Sequence, residues 1–151
     1  MKQEKNKFVL TQNEFNTILE RESRKEALSQ NEFDSILSEH TSTEKPLVFM
    51  NEDLTYLVAE NKALINVVFI NCDLSYMRLY DSIIKDCVFY SCGFEETMLE
   101  GCVISDCFIN GSFPNASFNK ATVRNTSFNL AFFSQAEFNE AKFIKCTFVN
   151  A

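Results

Sequence analysis

The sequence predicts an all-β solenoid, a parallel β-helix in which the chain turns every five residues and stacks coil upon coil. Two observations carry the prediction. A large apolar residue recurs at every fifth position with one slip: Leu64, Phe69, Leu74, Leu79, Ile84, Phe89, Phe94, Leu99, Ile104 and Ile109, then, four residues on, Phe113, Phe118, Val123, Phe128, Phe133, Phe138, Phe143 and Phe148. Two positions before most of these centres stands a small residue, as in Cys72, Cys87, Ala116, Ala121, Thr126, Ala131, Ala136 and Ala141.

Side chains on a strand alternate between its faces, so a period of five cannot be one straight strand. If the centre and the residue two before it both point inward, the residue between them points out and the remaining two form a corner. A chain cornered at this interval closes into coils. Successive coils stack at about 4.8 Å, which turns the inward residues into ladders of like on like.

The segments AEFNEAKFIKCTF, CDLSYMRL and NASFNKATV repeat the order small, polar, Leu or Phe, polar, polar, and over roughly the last ninety residues the chain resembles the pentapeptide-repeat proteins. The resemblance implies a right-handed, four-sided β-helix with four pentapeptides to a turn, hence about four and a half clear coils and roughly 20 Å of stack. Taken by fours, the centres sort into one side with Leu64, Ile84, Ile104, Val123 and Phe143, and a second with Phe69, Phe89, Ile109, Phe128 and Phe148. A third collects Leu74, Phe94, Phe113 and Phe133, and a fourth Leu79, Leu99, Phe118 and Phe138. The one-residue slip falls beside Gly111 and Pro114, where a kink or bulge is expected. Met77 and Lys62 depart from the small inner position, and Lys62 predicts an irregular start to the first full coil.

Residues 1–46 read as a helical leader and residues 47–151 as the β-helix, with clear repeats from about residue 62. The phrases LTQNEFNTIL and LSQNEFDSIL each carry a helix start, predicting short helices over about 11–24 and 29–40. Thr11 and Ser29 are the N-caps, Glu14 and Glu32 close capping boxes, and Leu10 with Phe15, like Leu28 with Phe33, can form a hydrophobic staple. Phe15, Ile18 and Leu19 share one helical face, as do Phe33, Ile36 and Leu37; helices this short need a surface to lie on. Phe49, Leu54, Ala59 and Leu64 keep the five-residue spacing with Glu52 in an inner position, so Leu47 onward reads as a degenerate first coil or cap. At the far end Ala151 fills a small position whose centre is missing; either two chains meet end to end there or the natural protein continues.

The chain has 151 residues, 46% hydrophobic and 23% charged, the proportions of one soluble domain with a short appendage. No apolar run has the length of a signal peptide or a membrane span, which places the protein in the cytoplasm, of bacterial type. Residues 1–60 hold 7 basic and 12 acidic groups, and residues 61–151 hold 7 and 9, so the coil itself is nearly neutral. The acidic balance and the lack of a basic stripe argue against direct nucleic-acid binding.

Outward positions are polar in the second half of the coil but not in the first. Ile65, Val68, Ile70, Ile83, Val88, Tyr90, Val103 and Phe108 fall on two adjacent sides as an apolar wall. Either the N-terminal helices fold back over it, or it is a dimer or partner interface. Asp81, Asp86, Glu95, Glu96, Glu100 and Asp106, opposed by Lys85, form a candidate acidic strip, whose ordinary meaning is a solvated face.

Cys72, Cys87, Cys92, Cys102, Cys107 and Cys146 all occupy the inner small position and replace Ala as structural thiols. Cys72 with Cys92, and Cys87 with Cys107, are placed to stack on neighbouring coils, and a cytoplasmic protein keeps them reduced. With one histidine, His40, in the leader, neither a zinc set nor a nucleophile triad takes shape, and no phosphate-binding glycine loop is present. The expectation is no catalysis, no metal and no cofactor. The leading reading is a non-catalytic scaffold that binds a protein partner or a second copy through the wall. The alternative, implied by the resemblance, is a DNA-mimicking protein that binds DNA gyrase or topoisomerase and protects it from quinolones or a related toxin.

Overall fold

The computed structural model describes residues 11–13, 16, 27–41 and 44–151. The corners determine its shape. Two residues after every centre but Ile109 the backbone turns to positive φ, from Asn51 (55°) to Asn150 (52°). Asn and Asp fill many of these positions, because a short polar side chain tolerates the left-handed region that β-branched and bulky residues avoid.

Between corners the chain is extended, and the coils pair in parallel. One six-stranded sheet joins β1 (Leu47–Met50), β3 (Val67–Ile70), β5 (Val88–Gly93), β7 (Phe108–Ser112), β9 (Ser127–Asn129) and β11 (Thr147–Val149). A five-stranded sheet joins β2 (Ala63–Ile65), β4 (Ile83–Lys85), β6 (Val103–Ser105), β8 (Thr122–Arg124) and β10 (Lys142–Ile144). These are the second and first sides of the coil. Single parallel bridges hold the other two: Asp53 to Asp73 to Gly93 and Ser112 to Phe132 on the third, Val58 to Arg78 to Met98 and on to Ser117 and Glu137 on the fourth. The fold is a parallel β-helix, as the period of five predicts, with the four sides that the resemblance implies and centre opposite centre throughout, as in Phe49↔Phe69, Leu64↔Ile84 and Phe128↔Phe148.

Stacking in register puts ring upon ring. Phe69 and Phe89 are 4.7 Å apart and nearly parallel at 2°, and Phe94 and Phe113 are 4.3 Å apart at 9°. On the fourth side the inner position shrinks as the centre grows: Leu57 with Ala59, Met77 with Leu79, Thr97 with Leu99, Ala116 with Phe118, all buried. Complementary volumes of this kind keep an interior closely packed. The residual void between Leu64, Ile84 and Phe118 is about 10 Å³, at the lower limit for a single water.

The small inner position also has a polar use. A thiol or hydroxyl there reaches the carbonyl of the centre one coil back: Cys102 Sγ to Leu79 O at 2.7 Å, Cys87 Sγ to Leu64 O at 3.2 Å, Thr97 Oγ1 to Leu74 O at 2.9 Å, and Ser82 Oγ to Ala59 O. Each buried donor is thereby satisfied without leaving the five-residue pattern.

The slip is a missing corner. Positive φ passes from Asp106 directly to Asn115, and the register of β5 against β7 shifts between Phe89 and Cys92. Strand β7 therefore runs straight on where its neighbours turn, while Ser91 bulges over it with its N–H bonded to Asn110 Oδ1 at 3.0 Å.

The first coil begins three sides ahead of the clear repeats. Phe49, Leu54 and Ala59 are completely buried, and β1 pairs with β3 in the common register. Lys62 fits because it stands in the first tier, where its side chain leaves through the open end of the coil and lies 4.0 Å from Asp34. That end is closed by α1 (Gln30–Glu39), whose N-cap Ser29 and Glu32 form a complete capping box. Phe33 is buried against Phe49 with ring centroids 5.7 Å apart, and Leu28 is buried beside it. The Gln30 amide bonds both backbone groups of Val58, at 2.8 Å to its carbonyl and 2.7 Å from its N–H, as a neighbouring strand would. Leu28 N–H bonds Asp53 O, and the His40 ring is 3.0 Å from Ile65 O. The helix thus satisfies an edge that would otherwise be free to pair. The first expected helix, with Glu14, Phe15, Ile18 and Leu19, lies outside the described residues for most of its length. At the far end Phe133, Phe138, Phe143 and Phe148 touch in a ring of contacts with centroids 5.6 to 6.2 Å apart.

Candidate interaction surface

The outward positions flank each centre. On the six-stranded sheet they are Val48, Val68, Val88 and Phe108 on one side of the centres and Met50, Ile70 and Tyr90 on the other. On the five-stranded sheet they are Ala63, Ile83, Val103 and Ile65. The two sheets share a corner, so the eight residues of the apolar wall do lie on adjacent sides.

Their exposure divides them. Val68 and Val88 are each 3% exposed and pack with Val48 against Met50, Ile70 and Phe108, so this ladder is closed to solvent. Ile83, Val103 and Ile65 remain open at 47, 40 and 36%, as does Tyr90, whose ring lies 5.1 Å from that of Phe108. Helix α1 lies across the end of the coil and not on the wall. Farther along, Thr122, Ser127 and Asn129 take over the equivalent outward positions.

The six carboxylates of the acidic strip are not brought together. Asp86 and Asp106 stand on the corner between the first and second sides, Glu95 and Glu96 on the corner after the third, and Glu100 and Asp81 on the corner after the fourth. A list of acidic residues in chain order hides this, because the coil carries successive corners around its axis. The field of Glu95, then of Glu96, raises the Tyr76 phenol above its ordinary value.

Five of the six cysteines are buried, Cys146 is half-buried, and all are free thiols. Burial pushes Cys102 up to about 12 and holds Cys107 well above the usual thiol range, there with the Cys87 thiol adding to it. The neighbouring Cys92 thiol, together with burial, raises Cys72. Thiols in this state are poor nucleophiles at neutral pH. Among the described residues, no three His, Cys, Asp or Glu side chains converge as ligands of a metal would, and no helix is long and apolar enough to cross a membrane.

Five-residue repeats, four sides, parallel stacking and a capped first tier define the class: a four-sided parallel β-helix. Residues 116–151 match the family model described as Pentapeptide repeats, in 8 copies, and the coil extends the same five-residue spacing back to Leu47; the fold is that of a pentapeptide-repeat β-helix. It is similar to the crystal structure of a pentapeptide repeat protein, Rfr23, from the cyanobacterium Cyanothece 51142, with a TM-score of 0.51 at 13% identity over 67% of this chain and 86% of that one. A trypsin-treated form of QnrB1, a plasmid-mediated fluoroquinolone resistance protein, aligns at a TM-score of 0.36 and 15% identity over 70% of this chain and 83% of that one. No curated protein matches the chain at a significant level.

Proposed function

We propose that this chain is a non-catalytic protein-interaction module of the cytoplasm, with residues 47–151 as the module and 1–46 as its leader. It engages a protein partner, or a second copy of itself, through the open part of the apolar wall: Ile65, Ile83, Val103 and the Tyr90–Phe108 pair. The observation that carries this reading is the position of the open aliphatic residues. They stand on the outer face of β2, β4 and β6, at one end of the five-stranded sheet, and the column of Ile83 and Val103 gives way to Thr122 and Lys142 in later coils. Burying one such side chain fully is worth about 1.5–3 kcal/mol, against about 0–1 kcal/mol for an exposed ion pair, so these residues dominate any contact made here. The free thiols accord with a reducing compartment.

The gyrase-directed alternative asks for a continuous acidic face. Asp86 and Asp106 lie across the coil from Glu95 and Glu96, so nothing in the geometry favours it.

The test uses the purified chain as bait in a lysate of its source cell, beside an Ile83→Glu/Val103→Glu variant. Both side chains are exposed, so the variant should melt within a few degrees of the native protein. It is expected to lose the retained partner, or the self-association, at least about tenfold. Equal retention by a folded variant would show that the wall is not the contact surface.

A further inference from the structure

We propose that the third side of the coil, with the corner that follows it, is a second and separate docking surface, and that it takes an extended, arginine-bearing segment of a protein partner.

The missing corner creates its shape. Where β7 runs straight past the bulge at Ser91, the outer face of the third side sinks into an open groove of about 380 Å³. Its lining includes Asp73, Ser75, Gly93, Glu95, Ser112 and Pro114. Most of the side chains are short, both charged groups are acidic, and no cation lines it. A groove of this shape and sign accepts a main chain with cationic side chains.

The corner supplies a different element. Tyr56 and Tyr76 stand on successive coils with rings 4.8 Å apart and nearly parallel at 7°. Both hold positive φ, 62° and 61°, where the later corners of the same column use Glu96, Asn115 and Gln135, so the turn itself does not call for an aromatic ring. Tyr56 is 68% exposed. Directly above the pair in the same column is Glu96, next to Glu95, and the charges of both carboxylates reach the Tyr76 phenol. Aromatic faces with adjacent carboxylates bind a planar guanidinium by stacking and by charge together. Arg78, two residues on from Tyr76, is engaged elsewhere: it lies 2.7 Å from Glu60 and over the Tyr80 ring at 5.9 Å. Glu95 is in both parts, lining the groove and flanking the rings, so groove and corner form one continuous surface. Charge complementarity commits it to a basic occupant.

The probe is the blocked peptide Gly-Arg-Ser-Arg-Gly-Arg, with a control in which citrulline replaces every arginine, followed by amide and aromatic NMR shifts of the whole chain. The expected result is salt-sensitive shifts at Tyr56, Tyr76, Gly93 and Ser112 with the arginine peptide and none with citrulline. Tyr56→Asn/Tyr76→Asn, which places at these corners the residue used elsewhere, and Glu95→Gln/Glu96→Gln should each weaken binding at least about tenfold. Asp86→Asn/Asp106→Asn, on the opposite corner, should leave it unchanged. The Ile83→Glu/Val103→Glu protein should keep the same peptide shifts, which separates this surface from the wall. No shifts in the native protein, shifts spread over every acidic corner, or equal weakening by the Asp86/Asp106 variant would each overturn the proposal.

Discussion

Phe113→Ala should lower the free energy of unfolding by about 3–5 kcal/mol, the range for deleting a buried ring. Phe113 is completely enclosed at the tier beside the slip and touches four rings: Phe94 at 4.3 Å, Phe133 at 5.2 Å, Phe118 at 5.4 Å and Phe128 at 6.3 Å. The backbone around it is tied to the coils on either side, Phe113 N–H to Phe132 O at 2.7 Å and Phe94 N–H to Ser112 O at 2.8 Å, so the walls of the cavity cannot collapse freely. Denaturant unfolding of the variant measures the loss. Phe148→Ala, at a site 49% exposed with one closely stacked partner, Phe128, should cost clearly less.

Gly111→Ala should be costly for a single added methyl group. A Cβ at this position would stand 2.7 Å from Cys92 O and 2.8 Å from the Phe94 ring. One neighbour is backbone and the other a buried side chain, so neither can step aside, and the expected loss is about 1–3 kcal/mol. The matched comparison is Gly93→Ala, where the added carbon would meet Asp73 Oδ1 at an ordinary 3.6 Å and should change stability little. A Gly111→Ala protein as stable as the native one would mean that the straightened corner is looser than its geometry indicates.

Much of this architecture is legible in the chain because the period of five sorts side chains without reference to anything distant. The coiling and the site of the slip follow from counting centres, and the four sides with their like-on-like rings follow once the resemblance supplies four repeats to a turn. The first coil is harder to read, since Glu52 and Lys62 occupy inner positions that elsewhere hold small residues. They are tolerated in the first tier, where Lys62 escapes toward α1 and Asp34. The bonds from inner thiols and hydroxyls to carbonyls one coil back were also hidden, because a cysteine in an alanine position reads as a volume and not as a donor.

The surface is less legible than the core. Wall residues can be listed from their outward positions, but position alone does not separate the closed valine ladder from the open Ile65, Ile83 and Val103. The acidic strip fails for the opposite reason, since neighbours in sequence are carried to different corners. The groove on the third side has no sequence signature of its own. It needs the bulge at Ser91, the short side chains of Gly93 and Ser112 and the lost turn at Gly111 together.

Hydrogen exchange of the chain, free and with the protein it retains, can decide whether the open wall is where contact is made. Binding there predicts slowed exchange in β4 and β6 around Ile83 and Val103, with β8 and β10 unchanged. Slowing confined to α1 or to residues 142–149, with β4 and β6 exchanging as in the free protein, would contradict it.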